Sequence, residues 1–138
     1  MIYYDRYKKK PVEKGKFKIE DRGYHIIEEG EFYCFGDVKV WANGNSDVFA
    51  YDNVEVMASD NVRVWAYGDS VDVITFDFSK VWAFYASVVR ANDNSVVSAY
   101  DIVKVWAYNN VKVSAYDNVE VSAYDNVEVI DYREEVEK

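Results

Sequence analysis

The residues best able to do chemistry in this chain are few and far apart. His25 is the only histidine and Cys34 the only cysteine, so neither has a like neighbour with which to share a metal, and no nucleophile motif stands beside the histidine. A structural role for His25 is the expectation. What the chain does repeat is aspartate: Asp52, Asp60, Asp77, Asp93, Asp101, Asp117 and Asp125 fall eight, sixteen or seventeen residues apart, and most precede an asparagine. Oxygen ligands at regular spacing are the raw material of calcium-binding solenoids, but those loops use glycine to wrap the ion. Here the turns contain almost none. The expectation is a protein that is not an enzyme, with no catalytic residues, no metal and no cofactor.

Composition narrows what positions these residues. The chain has no leucine, no glutamine, a single threonine (Thr75), a large excess of valine and 17% aromatics, a mixture that favours strands. Its 138 residues suit one domain with a real core. One cysteine cannot form an internal disulfide, "MIYYDRYKKK" lacks the apolar core of a signal peptide, and no apolar run reaches transmembrane length. A cytoplasmic setting is expected. The net charge of −9 is unevenly spread. Residues 1–18 hold seven basic and two acidic residues, a surplus of +5, while residues 19–138 hold nine basic and 23 acidic, or −14. An acidic body repels nucleic acid and suits a basic partner; it also keeps a repetitive sheet soluble.

The aspartates belong to an octad, written twice without change in "SAYDNVEVSAYDNVEV" (114–129). Alanine or a small substitute recurs at 42, 50, 58, 66, 75, 83, 91, 99, 107, 115 and 123. The one irregular step is the nine-residue "YGDSVDVIT" (67–75), where an extra residue such as Ser70 makes a bulge. Within each octad Val, Val and Ala alternate with other residues and so share one face of a short strand. The first outward position is mostly charged, as at Lys39, Asp47, Glu55, Arg63, Asp72, Lys80, Lys104, Lys112, Glu120 and Glu128. Aromatic-Asp-Asn has turn chemistry, since asparagine tolerates left-handed backbone and aspartate bonds nearby amides.

Stacking every second octad brings like turns over like. One turn column then reads Asn45, Asn61, Phe78, Asn94, Asn110, Asn126, and the other Tyr51, Tyr67, Phe84, Tyr100, Tyr116, Tyr132. The expected fold is therefore an all-β β-solenoid, or β-helix, of 16-residue coils with two parallel sheets and roughly six coils. Sheet one takes strands near 38–42, 54–58, 71–75, 87–91, 103–107 and 119–123. Sheet two takes 46–50, 62–66, 79–83, 95–99, 111–115 and 127–131. Residues 1–34 form a basic N-terminal segment and a cap of irregular strands, 35–132 the solenoid, and 133–138 a charged tail. The thin Val/Ala core explains the missing leucines, because larger side chains push the sheets apart.

The second outward position of each strand is the informative one. In sheet one it reads Trp41, Met57, Ile74, Arg90, Trp106, Ser122, and in sheet two Phe49, Trp65, Trp82, Ser98, Ser114, Ile130. Each wall thus carries an apolar stripe in its N-terminal half, and such stripes seldom stay bare. Phe49, Trp65 and Trp82 are the expected partner contact, with Trp41, Met57 and Ile74 as the second stripe. The expected partner is a protein, either another chain or a second copy in a homodimer, with no direct contact to nucleic acid or membrane.

The tandem "AYDNVEV" units resemble short-period β-solenoid proteins of bacteria and their phages, a group similar in logic, though not in period, to the pentapeptide-repeat proteins. The resemblance covers residues 35–132. Some pentapeptide-repeat proteins are acidic mimics of DNA that occupy nucleic-acid-binding enzymes, so the resemblance implies a phage or mobile-element inhibitor that blocks a macromolecular target. Asp60, Asp77, Asp93 and Asp125 on one edge, and Asp52, Asp101 and Asp117 on the other, are the acidic columns for that role. The alternative expectation is a self-assembling scaffold resembling bactofilins, or a component of a phage particle. A third is glycan binding along the aromatic edge.

Overall fold

The computed structural model describes residues 3–5, 16–19 and 22–133. Among them every regular element is a strand: β1 (Tyr3–Asp5), β2 (Lys16–Ile19), β3 (Gly23–Cys34), β4 (Val38–Ala50), β5 (Glu55–Ala58), β6 (Arg63–Ala66), β7 (Asp72–Thr75), β8 (Lys80–Ala83), β9 (Val88–Ala91), β10 (Val96–Ala99), β11 (Lys104–Ala107), β12 (Lys112–Ala115), β13 (Glu120–Ala123) and β14 (Glu128–Asp131). Most of the basic N-terminal segment, and the tail beyond Arg133, lie outside the described residues.

The strands form two walls. On one, β4, β5, β7, β9, β11 and β13 pair in that order; on the other, β4, β6, β8, β10, β12 and β14. β4 is long enough to serve both, with its first half beside β5 and its second half beside β6. Every pairing from β4 onward is parallel, and like sits on like: Val40, Val56, Val73, Val89, Val105 and Val121 form one unbroken row. Consecutive octads therefore occupy opposite walls of a parallel β-solenoid with a 16-residue period. Parallel strands need a crossover, and here each crossover is simply the strand of the other wall.

Two details differ from the sequence reading. The extra residue of 67–75 falls in the turn before β7 instead of bulging a strand, so Glu55 pairs with Asp72 and Arg63 with Lys80 without a break in either ladder. The widened turn lies against the coil before it: a Cβ on Gly68 would meet the Asp52 backbone nitrogen at 2.9 Å and oxygen at 3.0 Å. The solenoid also begins earlier than expected. β3 pairs with β4 along its whole length, Gly23 beside Val38 and Cys34 beside Ala50, with one irregularity between Ile27 and Glu29. It is a complete first coil, which makes seven. β1 (antiparallel) and β2 (parallel) then pair with β3 and cover its outer edge.

The core is a column of inward Val and Ala, nearly all fully buried, widened at the first coil by His25, Ile27, Phe32 and Cys34. Serines take the first inward position at Ser46, Ser79, Ser87 and Ser95. Ser46, Ser87 and Ser95 donate to the carbonyl three residues back, at 2.8 to 2.9 Å.

Candidate functional site

The turns are where the octad's polar chemistry goes, and aspartate takes both tasks there. The left-handed residue is the aspartate, with φ between 54° and 63° at Asp52, Asp60, Asp77, Asp93, Asp101, Asp117 and Asp125, where the sequence reading gave that conformation to asparagine. The same side chain then reaches back along the solenoid. Each of the seven carboxylates accepts a hydrogen bond from the N–H of the equivalent residue one coil earlier: Gly36 to Asp52, Gly44 to Asp60, Asp60 to Asp77, Asp77 to Asp93, Tyr85 to Asp101, Asp101 to Asp117 and Asn109 to Asp125, at 2.8 to 3.4 Å. One oxygen of every aspartate in the two acidic columns is thus committed to the scaffold.

The aromatic edge is a continuous stack. Phe35, Tyr51, Tyr67, Phe84, Tyr100, Tyr116 and Tyr132 follow one another with ring centroids 4.6 to 5.5 Å apart. Burial, and then the neighbouring phenols Tyr67 and Tyr33, push the Tyr51 hydroxyl above its usual pKa; burial and Tyr116 do the same at Tyr100. On the second wall the outward column is a second stack, in which Tyr33, Phe49, Trp65 and Trp82 lie nearly parallel at 4.6, 4.7 and 4.8 Å. Beside it, Arg63 donates two hydrogen bonds to Asp47 at 2.8 Å and lies over the Trp65 ring. The stripe expected to meet a partner is therefore half-buried in its own stack, each ring covered by the next.

The first wall is different. Its second outward column places Ile26 43%, Trp41 47% and Met57 38% exposed in adjacent strands, followed by a half-buried Ile74. Mixed side chains do not stack as like rings do, so their faces stay open. Tyr24 meets Trp41 edge-on at 6.2 Å, and a recess lined by Trp41, Asn43, Met57, Ser59 and Phe76 runs beside the row. Farther along, Arg90 covers Trp106 at 5.5 Å.

His25 is buried in β3 opposite Val40. Cys34 is buried at the position that alanine takes in later coils, and desolvation pushes its thiol pKa up to about 12, which leaves no reactive thiolate at neutral pH. Among the described residues no three His, Cys, Asp or Glu side chains gather where a metal ion could sit. Tyr24, Ile26, Tyr33 and Phe35 join the exposed row and the stacks without having been singled out from sequence. Their signal was the alternation of 23–35, offset from the next coil by fifteen residues as far as Ile27 and by sixteen from Glu29, with glycines at 23 and 30 where the octad mostly has Val. Compared with protein-family models, curated proteins and solved structures, the chain matches none.

Proposed function

We propose that this chain is a non-catalytic binding protein, a rigid acidic β-solenoid that lays the apolar row of its first wall against another macromolecule. The observation that supports the reading is the exposure of Ile26, Trp41 and Met57 on three adjacent strands whose register fixes them in line. Bare apolar surface forgoes about 25 cal/mol per Å² that a partner would recover, and a preordered wall gives up little conformational entropy on docking. The acidic body supplies selectivity, drawing basic surfaces at long range and repelling nucleic acid. Kinship with the short-period solenoids of bacteria and phages, a cytoplasmic site of action and inhibition of a nucleic-acid-processing target belong to the same proposal, supported by the repeat logic and the charge.

The test compares immobilised wild type with the Trp41→Ser, Met57→Ser double variant, serine being what this column already carries at Ser122. Wild type is expected to capture basic proteins from a bacterial lysate at low salt and release them as salt rises, and the variant to lose them. Equal capture by the two removes the first wall from the function.

One observation favours self-association as a second reading. In the last coil Ala123 and Val129 are exposed, Val121 and Val127 are only half-buried, and β13 and β14 are the two ends of the strand order. Two parallel edges that no further strand among the described residues pairs, beside the exposed Ala123 and Val129, invite pairing with a second copy. Sedimentation across protein concentration decides it: a single species of monomer mass at every concentration excludes association.

A further inference from the structure

The two aromatic stacks run side by side. Residues 33 and 35, 49 and 51, 65 and 67, and 82 and 84 are each two apart on one strand and its exit, so both rings leave the same wall, roughly 7 Å from one another along the strand. For four coils, and only four, both columns are aromatic; the wall column then turns to Ser98 and Ser114. The double ladder therefore has a defined length. Three ring-to-ring steps of 4.6, 4.7 and 4.8 Å make it roughly 14 Å from end to end. An open groove along the solenoid axis is lined by Tyr33, Phe49, Tyr51, Tyr67 and Tyr85.

Tyr85 is a separate sign. It stands where the Tyr edge carries Asp52, Asp101 and Asp117, in left-handed backbone with φ 63°, a conformation that small polar residues accept and bulky ones resist. It has no carboxylate to send back to the previous coil, so to the hydrogen-bonded ladder it gives only its own N–H, which Asp101 accepts at 2.8 Å, and its side chain has no part in it. What it contributes is an exposed ring (53%) at the groove. Residues held in unfavourable backbone gather where a side chain is needed for function.

Charge selects the occupant. Among the ionisable residues beside the double ladder, Glu31, Asp47, Asp52 and Asp69 are acidic and Arg63 and Lys80 basic; the Arg63–Asp47 pair cancels, which leaves three acidic residues against one basic. The whole chain carries −9. We infer that this groove is a binding site for an elongated, planar, cationic aromatic molecule, which lies along the axis across successive rings. With their faces covered by one another, the rings present a level strip of edges along which a flat ligand lies, and the surrounding carboxylates offset its charge.

The probe is thioflavin T, a cationic planar dye of about this length, added to the folded full chain under conditions where sedimentation shows a discrete species. Saturable fluorescence enhancement at one dye per chain, weakening as salt rises, is the expected result. Phe49→Ser takes the residue its own column holds at Ser98, and Tyr85→Asn takes a residue suited to left-handed backbone, so both keep the fold, as circular dichroism will check. Each is expected to lower affinity about 2- to 10-fold, whereas Trp106→Ser, on the opposite wall, changes nothing. The Trp41→Ser, Met57→Ser variant retains dye binding too, which separates this site from the proposed docking wall. Absence of saturable binding, unchanged affinity in both groove variants, or equally tight binding of the anionic planar dye Congo red at low salt each overturns the inference.

Discussion

At the residue scale, one aspartate per turn solves two problems that usually need two residues. The turn requires a left-handed residue, for which glycine is the unstrained choice, and the preceding coil offers an N–H that needs an acceptor. Gly36 and Gly44 stand at this position before the first aspartates, where a donor alone suffices; at the seven aspartates from Asp52 onward the side chain acts as acceptor as well. Asp93 illustrates the balance, since its carboxylate takes the Asp77 N–H at 3.0 Å. Asp93→Gly removes the acceptor but keeps the backbone, Asp93→Ala removes both, and Asp93→Asn keeps both in weaker form. The expected order of destabilisation is Ala, then Gly, then Asn, with the alanine variant losing about 2 kcal/mol in urea unfolding.

At the element scale, strands of four residues have no stability of their own and persist because each, β2, β13 and β14 excepted, pairs on both sides. This makes the inward columns strict, and departures from them measurable. Thr75 Oγ1 and Ser79 Oγ, at the two ends of one turn, are buried without a hydrogen-bond partner, a state that costs about 1–3 kcal/mol per group. Ser79 lies in the same column as Val62 and Val111. Ser79→Val is expected to stabilise the protein by about 1–2 kcal/mol, read as a raised urea midpoint at constant slope; an unchanged or lowered midpoint contradicts it. The octad strands were legible in sequence because a period of two inside a period of eight leaves little freedom. β3 was less so, since Gly23, His25, Ile27, Gly30, Phe32 and Cys34 share the alternation without sharing the residue types.

At the scale of the whole molecule the two ends differ. β1 and β2 cover the outer edge of the first coil, while within the last coil, which pairs on one side only, Arg133 donates two hydrogen bonds to the Asp131 carboxylate at 2.7 and 2.8 Å and one to the Val119 carbonyl at 2.9 Å. These bonds hold the Asp131 carboxyl down at a pKa of about 2. A depressed carboxylate contributes stability above its unfolded value of about 4 and loses it as pH falls toward its folded value. Amide exchange at Tyr132, whose N–H bonds to the Ala115 carbonyl at 2.8 Å, should therefore lose protection between pH 4 and pH 2, after correction for intrinsic rates. Arg133→Ala should abolish that pH dependence and fray the coil at neutral pH.

By itself the sequence determined the solenoid, its two walls and its 16-residue coil, because side-chain alternation and the identity of stacked turns are properties of order along the chain. It also determined which residues point outward. Only the tertiary structure decided which outward residues stay uncovered. Phe49, Trp65 and Trp82 and the mixed row of Trp41, Met57 and Ile74 look equally apolar in sequence, yet flat rings one coil apart cover each other's faces while unlike side chains do not. The role of the aspartates was likewise settled in three dimensions, since a carboxylate bonded to an amide sixteen residues away leaves no mark on the residues between.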